Sequence, residues 1–299
     1  MTQHLPTMKK LLYQFDTDPH PAVFDNVLAH DGGADQVVPY GGITPSNVGA
    51  LVEGAIFTRA PKFKKYTALF IGGANLAEGE ALLAAVRKKF FGNFRVSVML
   101  DSNGANTTAA AAVACLAHAA GGKLAGRRAV VLAGTGPVGQ RAAEMLAREG
   151  AQVLITGRQR ERAEATAKAI EARCQVRVEA LAAPDAEQRG RALEGAHLVL
   201  ATGAGGAQLL AQSAWAAHPT LQLLCDASPT PPLGIEGVDS MDRGALRHGK
   251  TCFGAIGFGA FKLALHRACI ARLFEQTDLV LDAELVLAQA KAMVGEVIT

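Results

Sequence analysis

The chain has 299 residues, of which 49% are hydrophobic and 19% charged; it is long enough for one large or two ordinary domains with a sizeable core, and too apolar to be disordered. The formal net charge is +3, with Lys and Arg spread along the chain, which gives no footprint for nucleic acid. Five cysteines (Cys115, Cys174, Cys225, Cys252 and Cys269) form no CxxC pair and eight histidines form no HxxxH pair, so neither a disulfide framework nor a built-in metal site is expected.

Short apolar runs alternate with longer helical patterns, the rhythm of βαβ units around parallel sheets. Strands are predicted at residues 11–15, 36–38, 68–71 and 96–100. A helix is predicted after the second of these, with Thr44 as its cap and Pro45 in its first turn. Residues 75–91 read as another helix, with Glu early and Lys and Arg late, as the macrodipole prefers. A third helix is predicted at 106–122, capped by Asn106 or Thr107, Ala-rich in its body and ended by Gly121 and Gly122. It reads as the bridge into a second domain. There a strand at 129–133, a helix at 137–149, a strand at 152–156 and a helix around 160–173 follow one another. Further strands are predicted near 176–180, 197–201 and 221–225, then helices at 261–276 and 282–294. No uninterrupted apolar run approaches the roughly 18 residues of a membrane span, and the first residues lack a signal-like stretch. With reduced thiols, a cytoplasmic protein without membrane partners is expected.

Gly134-Thr135-Gly136-Pro137-Val138-Gly139 fits the pattern GxGxxG, and here it follows an apolar strand and opens a helix. In that setting the first glycine permits a tight turn, the second lets a pyrophosphate approach the backbone, and the third allows close helix–strand packing. The helix N-terminus then offers free N–H groups to the anion. Dinucleotide proteins that take NAD carry Asp or Glu at the end of the next strand, about 20 residues on. This chain has Thr156-Gly157-Arg158-Gln159-Arg160-Glu161-Arg162 there. A guanidinium fork suits a phosphate, so Arg158 and Arg162 point to NADP, while Arg160 reads as a solvated helix residue. Thr202, Gly203 and Ala204 follow the strand at 197–201, and Asp226 ends the strand at 221–225. These are positions where a doubly wound sheet meets its ligand, and also positions of ordinary turn chemistry.

The first domain has its own polar clusters at predicted strand ends. Asp16 and Asp18 follow the first strand; Asp101 and Asn103 follow the strand at 96–100. With parallel strands these clusters emerge on one edge, where, facing the second domain, they would line a cleft. Turn and cap chemistry alone would also place such residues there. Lys262 is predicted to begin a helix, where a cation is mildly disfavoured, which singles it out as a functional residue. His266, one turn later, reads as a packed or capping histidine.

The chain resembles the NADP-dependent methylene-tetrahydromethanopterin dehydrogenases of methylotrophic bacteria, which also accept methylene-tetrahydrofolate. The matching stretches are QFDTD, HDGGAD, FIGG, MLDSNGANTTAAA, VVLAGTGPVG, PPLGIEGVD and FKLALHRACIARLFE. They span nearly the whole chain; VVLAGTGPVG is common to many dinucleotide enzymes, whereas LDSNGANTTAAA and KLALHRACIARLFE are far more specific. The resemblance implies an α/β protein of two domains: a Rossmann-type NADP-binding domain at 106–265, and an N-terminal parallel α/β pterin-binding domain at 1–105 joined by helices from 266–299. It implies a reduced pterin as substrate and a homo-oligomer, a trimer or larger. It also implies that Arg158 and Arg162 hold the 2′-phosphate and that Lys262 sits at the hydride-transfer site. FKKY, ANLAEG and the Ser-Pro-Thr of CDASPTPPLG depart from the family pattern and bear on which pterin is used.

Hydride transfer from a methylene bridge between two pterin nitrogens gives a methenyl cation without loss of a proton. No general base is required, so catalysis rests on orientation and electrostatics. An ammonium beside a developing cation would oppose the reaction. Lys262 is therefore expected to orient the pterin by donating to a ring carbonyl or nitrogen, or to act with a lowered pKa. One of Asp16, Asp18 and Asp101 is expected to offset the developing charge. The competing readings are a non-catalytic NADP-binding sensor and a Rossmann dehydrogenase of another small substrate.

Overall fold

The computed structural model describes residues 8–297. Twelve strands and ten helices alternate through the described residues. In chain order they are β1 (Leu11–Asp16), α1 (Val23–Asp31), β2 (Gln36–Tyr40), α2 (Gly49–Phe57), β3 (Thr67–Gly72), α3 (Leu76–Lys88), β4 (Ser97–Leu100) and α4 (Ala105–Ala119). There follow β5 (Arg128–Leu132), α5 (Pro137–Arg148), β6 (Gln152–Gly157), α6 (Arg160–Cys174), β7 (Val178–Ala182), α7 (Ala186–Arg191), β8 (Leu198–Ala201), α8 (Gln212–Trp215) and β9 (Leu223–Asp226). The chain ends with β10 (Arg243–Arg247), β11 (Lys250–Phe253), α9 (Ala255–Arg272), β12 (Val280–Leu281) and α10 (Ala283–Val297). No helix among the described residues is long and apolar enough to cross a membrane.

The chain divides into two compact units. One comprises the chain up to Gly104 together with Leu263–Val286; the other comprises Ala105–Lys262 and the chain from Leu287 onward. The sequence places all of 266–299 with the first domain, whereas the division falls inside α10.

The first unit is a five-stranded sheet in the order β12-β4-β3-β1-β2, every pairing parallel. Its central strands β3 and β4 are buried at every residue, as strands covered on both faces are. Val52, Ala55 and Ile56 of α2 and Leu82, Leu83 and Val86 of α3 pack in one core layer against them. Asn75 caps α3, its side chain accepting from the N–H groups of Ala77 and Glu78, two of the donors that a helix start leaves unpaired.

The second unit is a seven-stranded sheet in the order β10-β11-β9-β8-β5-β6-β7, parallel except for the β10–β11 hairpin. Trp215 is fully buried beneath β8 and β9 in its core, and its indole N–H donates to the Glu236 carbonyl at 2.8 Å.

Several local expectations are corrected. Thr44 and Pro45 do not start α2: the Thr44 carbonyl accepts from the N–H groups of Asn47 and Val48, closing a turn ahead of a helix whose cap is Val48. Asn106 and Thr107 lie inside α4 and are fully buried, because a 3-10 turn at Ser102–Gly104 leads directly into it. Gly121 and Gly122 do end it, with φ of 71° and 79° and N–H groups returning to His118 and Ala117. α9 begins at Ala255, seven residues before Lys262, so the glycine-rich stretch before Lys262 is helical. A Cβ on Gly254 or Gly257 would come within 2.0 Å of the Asp239 or Asp242 carbonyl; these glycines serve close backbone approach.

Candidate active site

The dinucleotide groove is built where β5, β6 and β8 end side by side. Gly134 follows β5 and donates its N–H to the Thr156 carbonyl at 2.9 Å. A Cβ there would meet the Ile155 side chain at 2.9 Å. Ala133, just before it, is held at φ 54°, a left-handed conformation that favours glycine; its N–H donates to the Thr156 hydroxyl at 3.2 Å. On Gly139 a Cβ would lie 2.6 Å from Gly134 Cα and 2.7 Å from Thr202 Oγ1, so this glycine lets α5 pack on β5. Gly136 differs: a Cβ on it would meet nothing within 4 Å. It caps α5, Pro137 occupies the first turn, and the space over it is a cradle for an anion at a helix N-terminus. Val138 is the next residue of that turn and points into neither neighbouring cavity.

A cavity of about 340 Å³ opens over this turn, lined by Thr135, Gly136, Arg158, Arg162, Gly203 and Ala204 among others. A second, of about 350 Å³, is lined by Thr135, Arg158, Gln159 and Arg162. Arg158 and Arg162 are exposed. Neither guanidinium has a hydrogen bond or ion pair among the described residues, whereas Arg160 between them is paired with Glu164 at 2.7 Å. Gly157 stands where a ribose-binding carboxylate would, and a Cβ on it would already lie 3.0 Å from Thr135 Cγ2. These residues fit a dinucleotide with a 2′-phosphate: an open cradle at Gly136 and two uncommitted cations at the end of β6.

Two other expected residues serve the turns instead. Thr202 lines the groove, but its hydroxyl donates to the Leu132 carbonyl at 3.0 Å. Asp226 does not line it: its two oxygens accept from the Ser228 and Ile235 N–H groups at 2.9 and 2.8 Å, and burial pushes its carboxyl above the usual range. Both of its oxygens are thus engaged in holding the loop that follows β9. Arg189, which sequence reasoning passed over, lines the rim and ties it by donating to the Leu209 and Pro184 carbonyls at 2.5 and 2.8 Å. The short helix α7 that carries it gave no periodic signal.

In the first unit β1, β3 and β4 are parallel neighbours, so the clusters following β1 and β4 emerge on one edge, about 10 Å apart across two strand spacings. Asp16 is buried, and its oxygens accept from the Asp18 and Ala22 N–H groups at 3.0 and 3.1 Å. Burial raises its pKa, and those two hydrogen bonds pull it back. Asp18 Oδ2 accepts from the Ala74 N–H at 2.9 Å, while Oδ1 has no hydrogen bond among the described residues. Between them Thr17 Oγ1 is buried, and a Cβ on Gly73 (φ 107°) would overlap it at 1.9 Å. Asp101 is fully buried, with Oδ2 3.4 Å from Nδ1 of the equally buried His266, whose ring stacks on Phe70 at 5.6 Å. Asn103 is exposed, with φ 54°. Lys262 is buried at 8% exposure on α9, one turn before His266. It lies in the body of the helix, so its position carries no penalty from a helix start.

Comparison with known proteins places this geometry in a family. Residues 23–103 match the family described as methylene-tetrahydromethanopterin dehydrogenase, N-terminal, and residues 115–213 match shikimate / quinate 5-dehydrogenase. The bifunctional protein MdtA of Methylorubrum extorquens is 53% identical over 95% of this chain and 99% of its own length. The chain belongs to the methylene-tetrahydromethanopterin dehydrogenase family. A second relative from the same organism, an NAD(P)-dependent methylenetetrahydromethanopterin dehydrogenase, is 31% identical over 77% of this chain and 80% of its own. Among solved structures, 5-ketofructose reductase of Gluconobacter sp. strain CHM43 covers 95% of this chain and 99% of its own with a TM-score of 0.54 at 15% identity. Quinate dehydrogenase from Corynebacterium glutamicum, in complex with NAD, covers 94% and 98% with a TM-score of 0.53, also at 15% identity. These two show the fold: a Rossmann-type sheet preceded by a parallel α/β unit.

Proposed function

We propose that this dehydrogenase oxidises the methylene bridge of methylene-tetrahydromethanopterin, or of methylene-tetrahydrofolate, to the methenyl derivative, with NADP preferred over NAD. The observation that carries the cofactor choice is the uncommitted pair Arg158 and Arg162 beside Gly157. The family of the N-terminal unit carries the substrate class. Five buried free cysteines support a cytoplasmic setting.

When bound, NADP supplies the hydride acceptor. Gly136 and the start of α5 hold its pyrophosphate, Arg158 and Arg162 its 2′-phosphate, and Gly203 and Ala204 border the ribose. The pterin rests on the carboxyl edge of the first sheet. There Asp18, with one oxygen free of its loop, is the carboxylate placed to face developing positive charge. Asp16 stiffens the loop that presents Asp18. Asp101 holds His266 on α9, the helix that carries Lys262, and Asn103 shapes the turn into α4. Lys262 orients the pterin as a hydrogen-bond donor. No proton leaves the carbon, so none of these groups acts as a base.

The test is NADPH formation by purified protein from methylene-tetrahydromethanopterin, with methylene-tetrahydrofolate and NAD run in parallel. NADP-dependent turnover is expected, and the ratio between pterins identifies the carrier. Tight NADP binding without turnover of either pterin would refute the substrate assignment and leave the dinucleotide groove standing.

A further inference from the structure

The cavity at the end of β6 is lined by Thr135, Arg158, Gln159 and Arg162, two cations and two neutral polar residues. No carboxylate borders it, and none borders the adjoining cavity over Gly136. At about 350 Å³ it has room for more than one placement of a phosphate. Arg158 and Arg162 are exposed and have no hydrogen bond or ion pair among the described residues. Each guanidinium therefore keeps the rotamer freedom of its stem and can follow an anion. Arg189, which lines the larger cavity only, is the contrast: the Leu209 and Pro184 carbonyls accept from its guanidinium at 2.5 and 2.8 Å and fix it.

A dinucleotide site that requires a free 2′-hydroxyl reads it with Asp or Glu at the end of the second strand. Here Gly157 stands at that end without a side chain, and a Cβ on it would already lie 3.0 Å from Thr135 Cγ2. No carboxylate at this end demands a free hydroxyl on either ribose oxygen. No fixed side-chain donor is aimed at one oxygen rather than the other. Phosphates on the two neighbouring oxygens would therefore meet the same pair of unheld guanidinium groups, whose forks suit a phosphate in either place.

We propose that the groove also takes a 3′-phosphoadenosine 5′-diphosphate group, the nucleotide half of coenzyme A and its thioesters, as a competitor of NADP. The inference rests on the reading of the groove as an NADP site. Both ligands share adenine, a 5′-diphosphate and one phosphate monoester on the ribose. The 5′-diphosphate meets the open cradle at Gly136, where a Cβ would touch nothing within 4 Å. The monoester meets Arg158 and Arg162. The base meets the apolar part of the larger cavity, at Ala183, Ala207 and Leu209. The rest of each molecule leaves from the 5′-diphosphate, so the thiol arm takes the path of the nicotinamide ribose. It brings no hydride acceptor. A groove so occupied is idle, and turnover falls as the ratio of the thiol cofactor to NADP rises. ADP and ATP lack the ribose phosphate, forgo both arginines and compete far less well.

Titration calorimetry on the full chain tests it, with NADP, NAD, coenzyme A and dephospho-coenzyme A as ligands. Coenzyme A is expected to bind between about 10- and 100-fold tighter than dephospho-coenzyme A, and not to bind once NADP saturates the groove. That comparison needs no variant. Arg158→Ala and Arg162→Ala are each expected to weaken coenzyme A about 10-fold and to change dephospho-coenzyme A by less than about 2-fold, with the melting temperature of the free protein unchanged. Adenosine 3′,5′-bisphosphate, which has a single 5′-phosphate, is expected to bind more weakly than coenzyme A; the reverse order would take the 5′-diphosphate out of the recognition and overturn the assignment. Equal binding of coenzyme A and dephospho-coenzyme A, arginine variants that leave coenzyme A unchanged, or coenzyme A that binds alongside NADP would each overturn it as well. If NADP binds through both arginines in the same experiment and coenzyme A does not, the groove reads the position of the phosphate: the NADP site stands and this inference falls. If neither binds, the reading of the groove falls, and this inference with it.

Discussion

Replacing Arg158 and Arg162 separates the two dinucleotides by an amount that can be worked from the site. Both guanidinium groups lack a protein partner and stand exposed beside the cavity they share with Thr135 and Gln159. A hydrogen bond to a charged group contributes about 1.5–3 kcal/mol, and exposure to water and salt brings each arginine toward the low end. At about 1.4 kcal/mol each, Arg158→Ala or Arg162→Ala weakens NADP binding about 10-fold, and the double variant about 100-fold. NAD lacks the 2′-phosphate, so its dissociation constant changes by less than about 2-fold. Titration calorimetry with both dinucleotides, at low and at high salt, reads the two constants directly. The wild-type preference for NADP should also shrink as salt rises, because exposed charge–phosphate contacts are screened. An equal loss for NAD and NADP would mean that the arginines hold the fold of the groove rather than the phosphate. No loss for either would refute the assignment outright.

The remaining expectations concern separate parts of the chain. Gly136→Ala should fold normally, because its Cβ meets nothing within 4 Å, yet lose dinucleotide affinity. Gly139→Ala sets a Cβ 2.6 Å from Gly134 Cα and should also lower the melting temperature, at a cost of about 1–3 kcal/mol; equal effects of the two on stability would contradict this. Lys262→Ala should cut turnover by about 100-fold with NADP affinity unchanged, and unchanged turnover and pterin affinity would remove Lys262 from the reaction. Glu144, buried between α5 and α6, accepts from Arg141 at 2.9 Å and Arg173 at 3.2 Å. Burial alone would raise its pKa, but the Cys174 thiol and the two arginines together hold it below its ordinary 4.5. Its ionised form therefore stabilises the fold above pH 4.5, and that contribution is lost as pH falls through its lower folded value. Glu144→Gln should cost about 3 kcal/mol at pH 7. The gap to wild type in denaturant midpoint should narrow on acidification below 4.5; a gap independent of pH would show that packing, not charge, is what Glu144 supplies.

What the sequence made legible follows the range of the interactions involved. The groove was readable because strand, glycine turn, helix and next strand end fall within 128–162, and each glycine has a local geometric reason. The start of α9 was not readable, because the glycines at 254 and 257, just before and inside its first turn, answer to the close approach of the carbonyls of Asp239 and Asp242, which residue-level propensity does not contain. β10 and β11 were missed for a related reason. A short, polar edge pair turning at His248 and Gly249, with φ of 48° and 74°, lacks the apolar run that marks a buried strand. The Asp101–His266 pairing joins residues 165 positions apart, and nothing near either residue in the sequence announces the other.

The strand-end carboxylates mark where local reading stops. Asp16, Asp18 and Asp226 share one sequence signature, an acidic residue just past an apolar run, and it fits a ligand contact as well as it fits a turn. The structure separates them by counting oxygens. Asp16 and Asp226 each have both oxygens on backbone N–H groups of their own loops, and a carboxylate so occupied has no fixed lone pair left for a substrate without unmaking its turn. Asp18 has one oxygen on Ala74 and one to spare. Asp16→Asn should therefore act first through stability, since the amide replaces one of its two acceptors by a donor facing a backbone N–H. Asp18→Asn keeps an acceptor for Ala74 and should act first through turnover. If the two substitutions instead lowered turnover equally with melting temperatures unchanged, the division of labour between loop-holding and substrate-facing carboxylates would be wrong.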